Sequence, residues 1–262
     1  MDSIFNFAIE QDEDEFTTSK KDVLKFLKII GVDTRFVSYT AEKIYINNLR
    51  FSKFSRKRQS TFNKEYPGIE VVRNSLFQKI CSKSSKVLAD EIKPNSTILI
   101  PENNDLIEII LEPYTRKYGV KLVYGGSYDL IVNPIILDSK VNSIFSDIFK
   151  GNGLTFSNKT NEIYPLINVP LNWINSFLEM DGKKIIETKD YDDLSTSFME
   201  FLEDVAPQYR ENVLKAYEYI EKELTQKTLS SISLTEAQEK VIGFRKGFAR
   251  VNAGAGAGKT MC

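Results

Sequence analysis

Eight residues near the end of this chain set the tightest limit on its fold. Ala253, Gly254, Ala255, Gly256, Ala257, Gly258, Lys259 and Thr260 match the phosphate-binding loop pattern, with Ala253 in place of the first glycine. Such a loop aims several backbone N–H groups at one anion, and only small residues allow the tight turns and close approach. Lys259 would then reach the β- and γ-phosphates of ATP, and the Thr260 hydroxyl would ligate Mg²⁺. The helix that follows would add the positive end of its dipole. Residues 248–252, Phe-Ala-Arg-Val-Asn, have the composition of a strand feeding the loop. Strand, loop and helix in that order belong to α/β architectures. The competing reading is a chance match in a Gly/Ala-rich linker, and the preceding strand pattern argues against it.

A second feature lies upstream in Leu234-Thr235-Glu236-Ala237-Gln238. Thr235 and Gln238 have the spacing of a capping box, which alone accounts for both. The Gln238 carboxamide can also donate and accept at once, as an adenine edge requires. Leu-Thr-Glu-Ala-Gln-Glu-Lys-Val-Ile, a short spacer and then Val-Asn-Ala-Gly-Ala-Gly-Ala-Gly-Lys-Thr resembles the start of superfamily 1 DNA helicases of the UvrD/Rep type. The resemblance covers residues 234–262, about a tenth of the chain. It implies an ATP-dependent DNA helicase or translocase with ATP and Mg²⁺ as cofactors and DNA as partner. It also implies that Gln238 contacts adenine, that Gly254 to Gly258 wrap the phosphates, and that Lys259 and Thr260 serve catalysis. The family's acidic Mg²⁺ motif, its arginines, its DNA-stacking aromatics and its second motor domain do not follow within this sequence. The chain alone is therefore expected to be inactive in hydrolysis, as the N-terminal piece of a longer protein. Two alternatives stand beside this reading. One is a non-enzymatic nucleic-acid-binding or partner-docking module with an inert loop, and the other is a phosphate-loop ATPase that does not unwind DNA.

Ahead of that stretch the patterning is mixed. Residues 22–30 carry one apolar helical face closed by Gly31, while residues 35–39 and 43–46 are strand-like. Pro67-Gly68 marks a turn, and residues 69–92 show a long helical pattern that includes Val71 and Val72. Residues 97–100 form a short apolar run, 105–118 are amphipathic, and 121–124 and 130–132 are again strand-like. A helix pattern over 138–149 ends at Gly151. Strand, helix and strand at this spacing predict a βαβ unit with a parallel sheet. Residues 172–180, 195–205 and 208–224 are helical in pattern. The fold class expected is thus α/β, in three parts. Residues 1–155 form an accessory module holding the parallel unit, 156–228 a mainly helical connecting region, and 229–262 the first strand and loop of a truncated RecA-like domain.

The run Lys-Tyr-Gly-Val-Lys-Leu-Val-Tyr-Gly at 117–125, with the helix pattern up to Gly151, is similar to the back half of adenylating PP-loop enzymes. That family needs a Ser-Gly-Gly-x-Asp-Ser loop after its first strand, and this sequence has none, so the resemblance implies a domain that has lost that chemistry.

Residues 50–64 hold Arg50, Lys53, Arg56, Lys57, Arg58 and Lys64 with no acid among them. The cations can contact phosphates while Phe51, Phe54 and Phe62 stack on bases. Equally, the run can be a solvated basic face whose phenylalanines pack inward. Asp129, Asp138 and Asp147 lack the lysine-bearing carboxylate motif of a nuclease and are expected to be surface acids.

Composition closes several routes. Histidine is absent, which excludes His-based triads and His-ligated metal in this chain. Two cysteines, Cys81 and Cys262, make neither a disulfide framework nor a zinc pattern. A net charge of −1 confines any nucleic-acid surface to a local patch. The acidic N-terminus is unlike a signal peptide and no apolar stretch is long enough to span a bilayer, so a cytoplasmic protein without membrane contact is expected.

Overall fold

The computed structural model describes residues 19–101, 104–154, 161–186 and 193–229. The chain divides into two compact units, Met1–Leu214 and Lys215–Cys262. The first holds two α/β layers.

The amino-terminal layer opens with α1 (Lys20–Ile29), capped by the Ser19 hydroxyl, which accepts from the Lys21 N–H. Gly31 ends the helix at φ +83°, a conformation a side chain would strain. Residues 35 and 36, expected in a strand, instead form a 3₁₀ turn (Thr34–Phe36). The Asp33 carboxylate starts it by accepting the Arg35 N–H, a local bond that competes with a ladder. Strand β1 (Val37–Tyr39) pairs antiparallel with β2 (Lys43–Ile46). Helices α2 (Leu49–Ser52) and α3 (Arg56–Glu65) then carry the chain to β3 (Glu70–Val72), which lies parallel to β2. Val23, Leu27, Val37, Ile44, Ile46, Phe54 and Phe62 form the core of this layer.

The helix expected over 69–92 starts later. Val71 and Val72 lie in β3, where β-branched side chains fit the pleat. Asn74 accepts the Leu76 and Phe77 N–H groups and so begins α4 (Ser75–Glu91). The amphipathic run 105–118 also divides, into α5 (Asp105–Leu111) and α6 (Tyr114–Lys117), with Pro113 between them offering no N–H.

The second layer is a four-stranded parallel sheet in the order β5 (Lys121–Val123), β4 (Thr97–Leu99), β6 (Leu130–Val132), β7 (Glu162–Ile163). Its α/β class and parallel pairing agree with the sequence expectation. Chain order reverses between β4 and β6: the helices after β4 lead to β5 on one side, and β6 lies on the other. Helices α7 (Leu137–Phe149), α8 (Leu171–Met180), α9 (Asp193–Val205) and α10 (Tyr209–Leu229) follow, the last running into the second unit. No described helix is long and apolar enough to cross a membrane.

The two layers meet through aromatic packing and two buried polar junctions. Tyr45 of β2, Phe77 of α4 and Phe177 of α8 cluster with ring centres 4.9–6.2 Å apart. Asp181, at the end of α8, accepts from Lys43 Nζ at 2.9 Å and Tyr45 OH at 2.8 Å. Glu112 is buried and pairs with Arg116 and with Lys20 Nζ at 2.8 Å; its Oε2 also accepts the Tyr39 N–H at 3.1 Å. Arg116 donates in turn to the carbonyls of Thr34 and Val37 at 3.0 and 2.6 Å. Burial alone would push the Glu112 carboxyl up, but Arg116 and Lys20 outweigh it and hold the group below the ordinary glutamate range.

Candidate functional site

In an open parallel sheet, ligands gather outside the carboxyl ends of the strands, near the point where strand order reverses. The sequence that follows β4, residues 100–104, contains no glycine and includes Pro101, so it is not that of a phosphate cradle. The neighbouring strands offer more. Strands β6 and β7 feed α7 and α8, and the first turns of these helices line a cavity of about 470 Å³ together with the α9–α10 connection.

Asp138, in the first turn of α7, is the polar centre of this cavity. It is 9% exposed; Oδ2 accepts the Leu171 N–H at 2.6 Å and Oδ1 pairs with Arg210 Nε at 2.8 Å. Arg210 also pairs with Glu203. Burial works against the Arg210 charge, but Glu203 and Asp138 outweigh it and keep the guanidinium above its ordinary value. Trp173 of α8 lines the same cavity, and its ring carries Lys79 Nζ at 5.8 Å and Lys83 Nζ at 5.4 Å. Lys83 is tied to Glu211 at 2.6 Å. Tyr209 sits behind Arg210 with its phenol pushed up to about 12, chiefly by burial. An aromatic face, the amide of Asn172 and a held carboxylate–guanidinium pair suit a planar polar ligand.

These residues were not picked out from the sequence, apart from Asp138. The expectation that Asp138 is a surface acid is corrected: it is buried because it holds the start of α8 and Arg210. Asp129 is elsewhere, its Oδ2 accepting the Thr97 N–H at 2.7 Å at the amino end of β4, and Asp147 lies near the far end of α7. The three acids do not converge. The available signal was Trp173, the one tryptophan of the chain.

The other candidates fall in two places. Gln238, Ala253, Gly254, Ala255, Gly256, Ala257, Gly258, Lys259 and Thr260 lie outside the described residues. Arg50, Lys53, Arg56 and Lys57 are exposed on α2, α3 and their connection, and Arg58 is half-buried with its guanidinium against Gly31 and the Lys53 carbonyl. Stacking of bases on all three phenylalanines is corrected: Phe54 and Phe62 are fully buried, because they fill the core under α3, and only Phe51 is exposed, at 53%.

No protein-family model matches the chain. It is 27% identical over 94 residues to a probable sulfurtransferase of Methanocaldococcus jannaschii, a match covering 34% of this chain and 28% of that protein. It also has a likeness to the solved U34-tRNA thiolase NcsA of Methanococcus maripaludis with its [4Fe-4S] cluster. That likeness has 11% identity, spans 61% of this chain and 83% of the other, and has a TM-score of 0.44, too loose to carry an argument about chemistry. The sulfurtransferase match overturns the reading as the N-terminal part of a UvrD/Rep-type ATP-dependent DNA helicase, and DNA as its partner falls with it. The inert-loop module and the non-unwinding ATPase gain nothing from it. A short nucleotide-binding signature misled because it is shared widely, whereas the longer match weighs the fold around it.

An iron–sulfur cluster does not fit this chain's own donors. Such clusters are held mainly by several cysteine thiolates, and the chain has two cysteines and no histidine. Cys81 is buried in the core, and that burial pushes its thiol well above the ordinary range. Among the described residues no group of three or more potential ligands could hold a metal ion.

Proposed function

We propose that this chain is a sulfurtransferase-type protein that uses ATP to activate an acceptor for sulfur. The observation that carries the reading is the 94-residue match to the probable sulfurtransferase. The parallel sheet and the cavity at its carboxyl edge support it, since Trp173, Asp138 and Arg210 suit a planar polar acceptor ring. ATP phosphates would be held by Ala253 to Thr260, with Lys259 on the terminal phosphates, Thr260 on Mg²⁺ and Gln238 on adenine. Cys81 is buried and protonated, so the sulfur comes from a donor outside the described residues.

The test is to supply the full chain with ATP–Mg²⁺, sulfide and total tRNA, and to follow both nucleotide products and thionucleosides by mass spectrometry. The reading expects ATP cleavage coupled to the acceptor, with thionucleoside formed only when all three substrates are present. Nucleotide turnover that does not depend on the acceptor, or no thionucleoside, would refute it. Asp138→Asn should lower turnover at least tenfold while leaving the nucleotide product unchanged, since it loosens the cavity and not the phosphate loop.

A further inference from the structure

Two cavities adjoin on the amino-terminal layer, and Arg35 lines both. The smaller, about 250 Å³, is a slot lined by Phe36, Phe51, Tyr114 and Lys117 among others. The Phe36 and Phe51 rings lie 5.3 Å apart at 32°. The larger, about 470 Å³, is an open bowl lined by Lys28, Arg35, Lys53 and Arg116, with Asp33 as its one carboxylate. Arg116 is matched by the buried Glu112, which leaves three cations facing Asp33. Asp33 is already engaged by Arg35, whose guanidinium holds the carboxyl below the ordinary aspartate range.

The slot is smaller than the roughly 300–1,000 Å³ of a drug-sized site, so it suits one ring system and not a whole nucleotide. The bowl next to it carries a surplus of positive charge, which suits a phosphate. Phe51 lines the slot yet stays exposed, and Arg50 stands 5.9 Å from its ring centre. In a layer that buries Phe54 and Phe62 completely, that exposure gives the slot a stacking face.

We propose that the two cavities bind one unpaired nucleotide of an RNA strand, with its base against Phe51 and Phe36 and its phosphate in the bowl of Lys28, Arg35 and Lys53. The choice of RNA rests on the sulfur-transfer reading, because such a strand would be its acceptor; the base-plus-phosphate geometry does not depend on it. Base stacking on an exposed aromatic ring beside a cationic track is how single strands are held without reading their sequence.

The test uses the full chain without ATP or sulfur donor, so its outcome is independent of whether sulfur transfer occurs. Fluorescence anisotropy follows a labelled, unstructured 12-nucleotide RNA across a salt series. Wild type should bind with affinity that falls as salt rises. Phe51→Leu keeps an apolar side chain and removes the ring, and should weaken binding about fivefold or more. Lys53 has φ +55°, which asparagine tolerates, so Lys53→Asn should fold and should flatten the slope of log K against log salt by about 0.7. Thermal melts followed by circular dichroism confirm that each variant is folded; if Phe51→Leu is not, the salt slope of Lys53→Asn decides. Affinity unchanged in both folded variants would overturn the site. Free UMP, or poly-glutamate, competing as well as the RNA would overturn the strand or the base, respectively.

Discussion

At the scale of single residues, Glu112 carries the largest expected effect. Its buried carboxylate serves Arg116, Lys20 and the Tyr39 N–H together. Glu112→Gln should cost about 3 kcal/mol, because it leaves the Arg116 guanidinium confined without its counter-ion. Urea unfolding at neutral pH measures this. The group's folded value is depressed, so its contribution is present above the unfolded value of about 4.3 and is lost as pH falls through the folded value. The gap between wild type and Glu112→Gln should therefore narrow below about pH 4; a gap constant to pH 3 would remove Glu112 as its source. Cys81 makes the opposite case. Its thiol is buried in the core and held protonated, so iodoacetamide should not label it in the folded chain, and Cys81→Ala should keep turnover while costing about 1 kcal/mol. Loss of sulfur transfer in a folded Cys81→Ala variant would mean that this thiol takes part after all.

At the scale of elements, α3 is the odd one. Arg56, Lys57 and Arg58 fill its first turn with no acid, although that end of a helix carries partial positive charge. Lys57→Glu should raise stability by about 0.5–1 kcal/mol. It should also weaken RNA binding, which a stability gain alone would not do; thermal melts and anisotropy on the same sample separate the two effects. The same helix shows what was legible beforehand. Its cations were visible as a run, but their spacing could not show that Phe54 and Phe62 fill a core while Phe51 is left outside. That depends on where α1 and β2 lie. Residues 43–46, 97–99 and 121–123 announced themselves as strands through β-branched and apolar clustering. Val71 and Val72 did not, because their spacing also continues the helical repeat of α4 and only pairing with β2 decides between the two. The cavity around Asp138 was illegible for a related reason: Arg210 lies 72 positions further along the chain, and no local pattern joins them.

At the scale of the whole molecule, nucleotide and acceptor binding are assigned to different stretches of chain. Lys259→Ala should therefore abolish ATP–Mg²⁺ binding by isothermal titration while leaving RNA affinity within twofold of wild type. Loss of both together would show that the two activities are not separable. The parallel sheet and the amino-terminal layer belong to one compact unit, Met1–Leu214, so variants in either should melt in a single transition.

The junction built on Glu112 and Arg116 also bears on how the protein is made. Every partner it holds on the amino-terminal side lies between residues 20 and 39, whereas the junction itself is supplied 73–92 positions later. Helix α1 and strand β1 thus leave the ribosome well before the groups that fasten them. At synthesis rates of about 5–20 residues per second, that wait lasts roughly 4–18 seconds. During it, the backbone edge of β1 that Glu112 and Arg116 will cover is exposed to other nascent chains, so the yield of folded protein should depend on holdase chaperones acting in that interval.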